Sequence, residues 1–313
     1  MGNNFTRRNH FIPQHYQLGF SDHDSKVSIY DRVEKLHDKR HPINVGIKRD
    51  FYTTVDEQGV ENDSVEKLFT LIEGLAWPII RKLDGRETHL TTDERIHLAL
   101  FVACMKTRIP AYEEKQNSIN RAIVSVLSKG RIPTSGVATD ELEKFVAGPV
   151  PQEMAEALYA LIHDDRYQLH VPRQNNIKAM LNTAVEIGKE LGSMNWTVYT
   201  TSPVNLFVTS DNPFLLLPPP GFIQGVTGLG ILTPGAISVI PLSKQTLLCM
   251  DNKGGEALIY RKAPADFVRY INCCVAGNSE RFIIARDESQ LKALVRKIKA
   301  DQWLNKFEVI SGG

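Results

Sequence analysis

The stretch of this chain that most constrains the fold is Leu206-Phe207-Val208-Thr209-Ser210-Asp211-Asn212-Pro213. Its apolar beginning predicts a strand, and its polar end with Pro213 predicts a turn that closes the strand. Asp and Asn residues near Pro commonly form turns, because their side chains bond to nearby backbone. An acid held at the end of an apolar strand can also orient a water or a histidine. Asp211 is therefore both a turn residue and a candidate catalytic residue.

A second motif lies far upstream and consists of His10-Phe11-Ile12-Pro13 followed by Tyr16. Imidazole is the side chain whose ordinary pKa lies nearest to neutrality, which suits general acid–base chemistry. His10 is therefore the candidate partner of Asp211, and His15 is an alternative. A structural role for a single histidine near the start of a chain is the competing interpretation.

Composition indicates an ordinary soluble globular protein. Of the 313 residues, 42% are hydrophobic and 23% are charged, and the formal net charge is only +1. This balance excludes a global field that would attract nucleic acid or a membrane surface, although local patches remain. Two basic groups stand out, and we predict that the second is the solvated face of a helix: Arg7, Arg8 and His10, then Lys292, Arg296, Lys297 and Lys299.

The cysteines and the hydropathy pattern suggest a reducing, cytoplasmic setting. Cys104, Cys249, Cys273 and Cys274 form no CxxC pair, so we expect buried free thiols and no zinc site. No apolar stretch approaches the ~18 residues that a membrane span needs. We expect no membrane association.

Helices are predicted through the middle of the chain. Asp63 with Glu66, and Thr91 with Glu94, have the spacing of capping boxes that begin two helices. Residues 96–105 are apolar on nearly all sides, which predicts a buried helix, and Pro110 should end it near Ile109. Further helices are predicted at about 116–128, 139–147, 151–163 and 173–191.

The pattern changes to strands after Gly192. Strands are predicted at residues 196–200, 206–209, 237–242, 246–250 and 281–285, with helices at 266–275 and 288–300. The order predicts an α+β fold, in which the helical middle segment packs with a mostly antiparallel sheet built largely from the C-terminal half. We expect one integrated domain over residues 1–313, with a possible sub-boundary near 193.

Two charged residues of the helical segment are candidate site residues. Glu73 lies beside the apolar stripe of its helix, so its carboxylate either pairs with a cation or faces a cleft. Arg108 ends the buried helix and is its natural partner. The pair could be a structural ion pair, or Arg108 could bind a phosphate or carboxylate of a ligand.

Two other segments resemble known sites without meeting their requirements. Gly225–Gly230 is glycine-rich but lacks the residues of a P-loop and the spacing of a dinucleotide fingerprint. Ser243-Lys244 has no nucleophile elbow around it, so we interpret it as the end of a strand. The Pro- and Gly-rich segment 218–235 is long for a simple connection and predicts a flap or an ordered lid.

Taken in order, these motifs resemble those of an uncharacterised, mainly bacterial family that is defined by a domain of unknown function. The resemblance covers about residues 10–285 and implies that His10, Arg108 and Asp211 belong to one shared pattern. The family has no settled activity that the resemblance could supply. The matching positions are His10, Pro13 and Tyr16; Phe51 and Tyr52; Glu66 and Glu73; Arg108 and Pro110; Trp196; 209–213; 241–243; and Asn272.

The favoured functional hypothesis is a nuclease-like hydrolase in a bacterial defence or toxin system. It would cleave a phosphodiester in nucleic acid or in another phosphate-containing substrate. His10 would transfer the proton, Asp211 would orient it or a water, Glu73 would be a second acid–base group, and Arg108 would hold the phosphate. In a variant with a divalent metal, Asp211, Glu73 and His10 would be ligands. The alternatives are a non-enzymatic sensor or interaction module, and a small-molecule or nucleotide-binding protein.

Overall fold

A computed structural model describes residues 7–55, 58–145, 148–223 and 228–299, and it has the predicted α+β fold. Apart from the first one, which the sequence did not predict, the helices of this described part follow the predicted order, with ends shifted by a few residues. They are α1 Gln14–Leu18, α2 Ser64–Asp84, α3 Thr92–Thr107, α4 Pro110–Arg131, α5 Ser135–Glu143, α6 Gln152–His163, α7 Arg173–Gly192, α8 Ala265–Asn278 and α9 Glu288–Lys299.

The strands include several that the periodicity did not predict, mostly short ones in which polar and apolar residues do not alternate. They are β1 Arg8–His10, β2 Val27–Asp31, β3 Leu36–Arg40, β4 Ile47–Arg49, β5 Thr54–Val55, β6 Glu61–Asn62, β7 Asn195–Thr200, β8 Thr209–Ser210, β9 Leu215–Leu217, β10 Ile237–Pro241, β11 Thr246–Asp251, β12 Leu258–Lys262 and β13 Phe282–Ala285.

The larger sheet comes entirely from the C-terminal half, as predicted. Its order is β12-β7-β11-β10-β9, and every neighbouring pair is antiparallel except β12 with β7. Along β7 the buried side chains alternate with half-buried ones, so Trp196 and Val198 share the core face. This alternation is the signal that made the strand predictable.

A second sheet joins the two ends of the chain. Its order is β3-β2-β13-β8, so two of its strands precede residue 41 and two follow residue 208. All of its pairs are antiparallel. The N-terminal segment therefore lies in the same sheet as the strand that carries Thr209 and Ser210.

The two predicted capping boxes have different outcomes. Thr91 and Glu94 form a complete capping box at the start of α3, with reciprocal bonds of 3.2 and 2.9 Å. The prediction for Asp63 and Glu66 was wrong: Asp63 precedes α2 but makes no side-chain cap bond. Glu66 instead bonds to Asn9 and to the backbone of His10. Tertiary contact has overridden a local preference.

The described contacts divide the chain into two compact units. Residues 1–111 and 177–313 make up the first, which contains both large sheets, and Tyr112–Asn176 makes up the second. The second unit has a small core of its own around Ile132, Ala138 and Ala155. One integrated domain stays a prediction.

The structure also bears on the predictions for the cysteines, the basic helix face, membrane spans and the glycine-rich segment. All four cysteines are buried and free, and the side chains of Lys292, Arg296 and Lys297 are exposed on α9 as expected. Within the described ranges, no helix is both long and apolar enough to cross a membrane. Residues 224–227 of the glycine-rich segment lie outside the described part, and its neighbours 218–223 and 228–235 contain neither helix nor strand.

Candidate functional site

Arg108 is the centre of a buried polar cluster in the first unit. It is the residue after α3, and only 2% of its side chain is exposed. Its Nη1 donates to Oε1 of Glu73 at 2.6 Å, and its Nη2 donates to the carbonyl oxygen of His10. The guanidinium also lies over the rings of Tyr52 and Phe69. Burial alone would lower the pKa of Arg108, but Tyr52 and Glu73 outweigh it and raise that pKa.

The cluster leaves several polar atoms without a protein partner. Within the described residues, Nε of Arg108 and Oε2 of Glu66 are buried and make no hydrogen bond. Among the described residues, Glu73 is bonded through Oε1 alone, and 18% of its side chain is exposed. Burial raises the pKa of Glu66, although Arg108 opposes the shift. Perturbed and incompletely bonded groups of this kind are common at functional sites.

His10 sits at the edge of the cluster and is half-buried. Its Nε2 lies 3.1 Å from the carbonyl oxygen of Ile43, so Nε2 carries the proton, and Nδ1 accepts from Gln14 Nε2 at 3.3 Å. Burial lowers the pKa of His10, and the positive charges of Arg108 and Arg8 lower it further. The ring is therefore neutral at neutral pH, and Glu73 is near enough to act on its charge.

Asp211 lies in a different polar arrangement. Its carboxylate accepts three backbone hydrogen bonds, from the amides of Glu280, Arg281 and Phe282, at 2.9, 2.6 and 3.0 Å. Its own amide donates to the carbonyl oxygen of Phe282 at 3.1 Å. Burial raises the pKa of Asp211 and these amides partly offset that shift. The carboxylate thus fastens the turn after β8 to the segment between α8 and β13.

The N-terminal motif does fold back against β8, but through Tyr16 rather than His10. The hydroxyl of Tyr16 is fully buried, lies 2.6 Å from Oγ1 of Thr209 and donates to the carbonyl oxygen of Pro241 at 2.7 Å. Asn272 holds the other side of the same segment by bonding to the backbone of Leu206 and Val208. These motif residues are positioned to stabilise the fold.

The structure therefore brings together three of the four predicted site residues, His10, Glu73 and Arg108. No hydrogen bond or ion pair among the described residues joins Asp211 to His10. The candidate metal ligands Asp211, Glu73 and His10 do not form a cluster either. The described part of the chain has one group of three with the spacing for an ion, the exposed or half-buried turn residues Asp22, His23 and Asp24. The geometry gives the metal variant no support.

Sequence reasoning did not assign several members of the cluster. Asn9 is buried and accepts a hydrogen bond from the Tyr52 amide, and the Tyr52 hydroxyl donates to the carbonyl oxygen of Arg108 at 2.5 Å. Glu66 was interpreted as a helix-capping residue. The available signal for Glu66 was its position seven residues before Glu73, which places both carboxylates on one helix face.

Strands β1 and β4 form a two-stranded antiparallel sheet, and a pair of arginines lies on the same face of this sheet as His10. Arg8 of β1 is directly opposite Arg49 of β4, and His10 is directly opposite Ile47. Residues two apart on a strand share a face, so both arginines and His10 lie on one side. Like charges directly opposite each other destabilise a strand pair. Among the described residues, Arg8 donates to Oδ1 of Asn44 at 3.3 Å, and Arg49 forms an exposed ion pair with Asp50 at 3.3 Å.

Comparisons with known proteins identify the family without naming an activity. The model of the family described as protein of unknown function (DUF4238) matches residues 8–289. No curated protein matches the chain, and no solved structure matches it either. The matched region includes both sheets and every residue of the Arg108 cluster, and the chain therefore belongs to the DUF4238 family.

Proposed function

We propose that this protein is a hydrolase of phosphodiesters in which His10 is the general base. The observation that carries the proposal is the environment of His10: a neutral, half-buried imidazole beside the Glu73 carboxylate and a pair of arginines. A base that is neutral at working pH and flanked by a carboxylate is the arrangement that general-base chemistry requires.

The roles of Arg108 and Asp211 change in this proposal. Arg108 is too buried to reach a substrate, so it is a positioning residue that fixes Oε1 of Glu73 and leaves Oε2 for use. Asp211 is left out of the reacting groups, because three amides occupy its carboxylate. Arg8 and Arg49 take over the binding of the phosphate that was first assigned to Arg108.

The proposed step needs only groups that the site holds. The side-chain amide of Gln14 first breaks its hydrogen bond to Nδ1 of His10. Nδ1 then accepts a proton from a water molecule while the water oxygen forms a bond to phosphorus. The bond from phosphorus to the leaving oxygen breaks, and solvent protonates that oxygen. Glu73 stabilises the imidazolium until the proton passes to solvent, and the two arginines offset the charge on the phosphoryl oxygens.

The test compares matched histidine variants on defined substrates. Purified protein is assayed with bis(4-nitrophenyl) phosphate and with RNA and DNA oligonucleotides, with and without Mg²⁺. We expect His10→Asn to lower the rate by at least about 100-fold, since general acid–base catalysis typically contributes that much. His23→Asn, at a side chain that is 85% exposed, should leave the rate unchanged. Equal melting temperatures would show that both variants are folded.

Glu73→Gln separates the catalytic role from the ion pair. The amide oxygen can still accept from Arg108, but it cannot stabilise an imidazolium. We expect a reduced maximal rate, a largely unchanged KM and a shifted pH profile. No hydrolysis of any tested phosphodiester by the wild-type protein, or full activity of His10→Asn, would contradict the proposal.

Binding without turnover is the second candidate, and a specific observation favours it. Both ring nitrogens of His10 already have hydrogen-bond partners, so the site as it stands is not primed for proton transfer. A sensor or interaction module in bacterial defence would use the same Arg8 and Arg49 face to hold an anionic partner. Salt-dependent oligonucleotide binding that Arg8→Gln with Arg49→Gln abolishes, without hydrolysis, would support it.

A further inference from the structure

A second polar site lies at the opposite end of α2 from Glu66. It is a cavity of about 290 Å³, just below the size range of pockets for drug-sized ligands. Its walls come from the end of α1, the end of α2, the end of β7 and the turn between β10 and β11. The residues that carry the argument are Asp84, Arg86, Thr200, Ser243, Lys244 and Thr246.

Backbone contacts define the shape of this cavity. Lys244 donates its amide to the carbonyl oxygen of Gly19 at 2.9 Å, which holds the turn against the end of α1. A Cβ at Gly19 would lie 3.3 Å from the carbonyl oxygen of Leu242, so a larger residue would push the turn away. Thr200 and Thr246 are directly opposite each other in the sheet and present their side chains on one face.

Lys244 is a partly buried cation that forms no ion pair with any described residue. Its Nζ donates to the carbonyl oxygen of Ser21 at 2.7 Å, and no described carboxylate lies within ion-pair distance. Burial lowers the pKa of Lys244, and Arg286 lowers it further, while Asp22, Asp287 and Asp84 act in the opposite direction. A cation that is withdrawn from water without a counter-ion is costly, and a bound anion would offset that cost.

Two other charged side chains of the cavity, Arg86 and Asp84, can also form further hydrogen bonds. The Arg86 side chain makes no hydrogen bond or ion pair with any described residue, so its guanidinium can turn toward an anion. Asp84 accepts the Ser243 hydroxyl on Oδ1 at 2.8 Å, which leaves Oδ2 as an acceptor. The cavity therefore combines two cations with a carboxylate oxygen and a pair of threonine side chains.

We infer that this cavity binds a small phosphate monoester that carries hydroxyl groups. The phosphate would lie between Lys244 and Arg86, as lysine and arginine are both effective phosphate binders. Asp84, Thr200 and Thr246 would bond to the hydroxyls. Asp84 follows Glu73 by eleven positions in α2, roughly 16 Å along the helix. The site is thus distinct from the Arg108 cluster and independent of the proposed hydrolase activity.

Calorimetric titration of the full chain with glycerol 3-phosphate tests the inference, with glycerol and glycerate as comparison ligands. We expect saturable binding of glycerol 3-phosphate alone. Lys244→Met should weaken it at least about tenfold, because a hydrogen bond to a charged group is lost. Lys262→Met is the matched control at an exposed lysine outside the cavity, and it should bind as the wild type does.

A second variant keeps the test informative if Lys244→Met does not fold. Arg86→Gln changes an exposed side chain, and it should weaken binding without lowering the melting temperature. The inference is overturned if glycerol 3-phosphate does not bind, or if glycerol or glycerate binds as tightly. It is also overturned if the folded Lys244→Met and Arg86→Gln variants both bind like the wild type.

Discussion

The Arg108 cluster and the Asp211 turn are both buried charges built from the motif residues of this chain, yet they differ in how completely they are bonded. Asp211 has its carboxylate occupied by three amides. The Arg108 cluster holds three charged side chains and leaves Nε of Arg108 and Oε2 of Glu66 without a partner in the described residues.

The difference indicates what each charge is for. A buried carboxylate saturated by backbone amides fixes the chain and has little capacity left for a ligand. A cluster with open donors and acceptors retains a desolvation cost that a substrate, a water or a small motion can relieve. The comparison therefore directs functional tests to the cluster and stability tests to the turn.

The largest expected effect is on stability, from Asp211→Ala. The substitution leaves three amides without their acceptor, of which that of Phe282 is buried and the other two are part-buried, and each buried donor left without a partner costs about 1–3 kcal/mol. We expect the free energy of unfolding to fall by more than about 3 kcal/mol, measured by urea denaturation. Asp140→Ala, at an exposed position on α5, is the control and should change it little. A loss for Asp211→Ala as small as that of the control would show that the turn is not a structural clip.

The next effect concerns the Arg108–Glu73 pair. Arg108→Met should lower the free energy of unfolding by about 3–5 kcal/mol, because removing one partner of a buried ion pair leaves the other uncompensated. In a double-mutant cycle with Glu73→Gln, we expect the double variant to lose less than the sum of the single variants. Additive losses would mean that the two side chains do not stabilise each other.

The smallest effect is the pH dependence that His10 contributes. In the unfolded chain His10 titrates near its usual pKa of 6.5, and in the folded chain that pKa is lower. The unfolded state therefore binds the proton more readily, so the contribution to stability is complete above pH 6.5 and is lost as pH falls below it.

Unfolding of the wild type and His10→Asn at pH 7.5 and pH 5.5 measures this contribution. The wild type should lose more stability on acidification than His10→Asn, by at most about 1.4 kcal/mol for each unit of pKa shift. His23→Asn should retain the wild-type dependence. Identical behaviour of the wild type and His10→Asn would place the His10 pKa at its ordinary value and weaken the general-base proposal.

Local sequence signals predicted the structure correctly where the residues bond to their neighbours in sequence, and failed where a distant residue bonds to them instead. Thr91 and Glu94 cap α3 as their spacing predicts, and the buried α3 follows from its apolar composition. Asp63 and Glu66 have the same spacing, but Glu66 bonds to Asn9 and His10 instead. Strands such as β1 and β9 were missed, because a three-residue strand is too short to show a period.

The sequence by itself determined the α+β class, the helical middle and most of the strands after Gly192, all of which follow from periodicity. It left two roles open for Glu73 and Arg108, an ion pair or a contact with a ligand, because the cost of burying a charge requires only that the charge has some partner. Only the tertiary structure decided the partner of Asp211, since three amides about 70 residues away in sequence come into reach only when β8 pairs with β13. It likewise decided that Tyr16, rather than His10, joins the N-terminal motif to Thr209, because such contacts depend on chain packing and leave no local pattern.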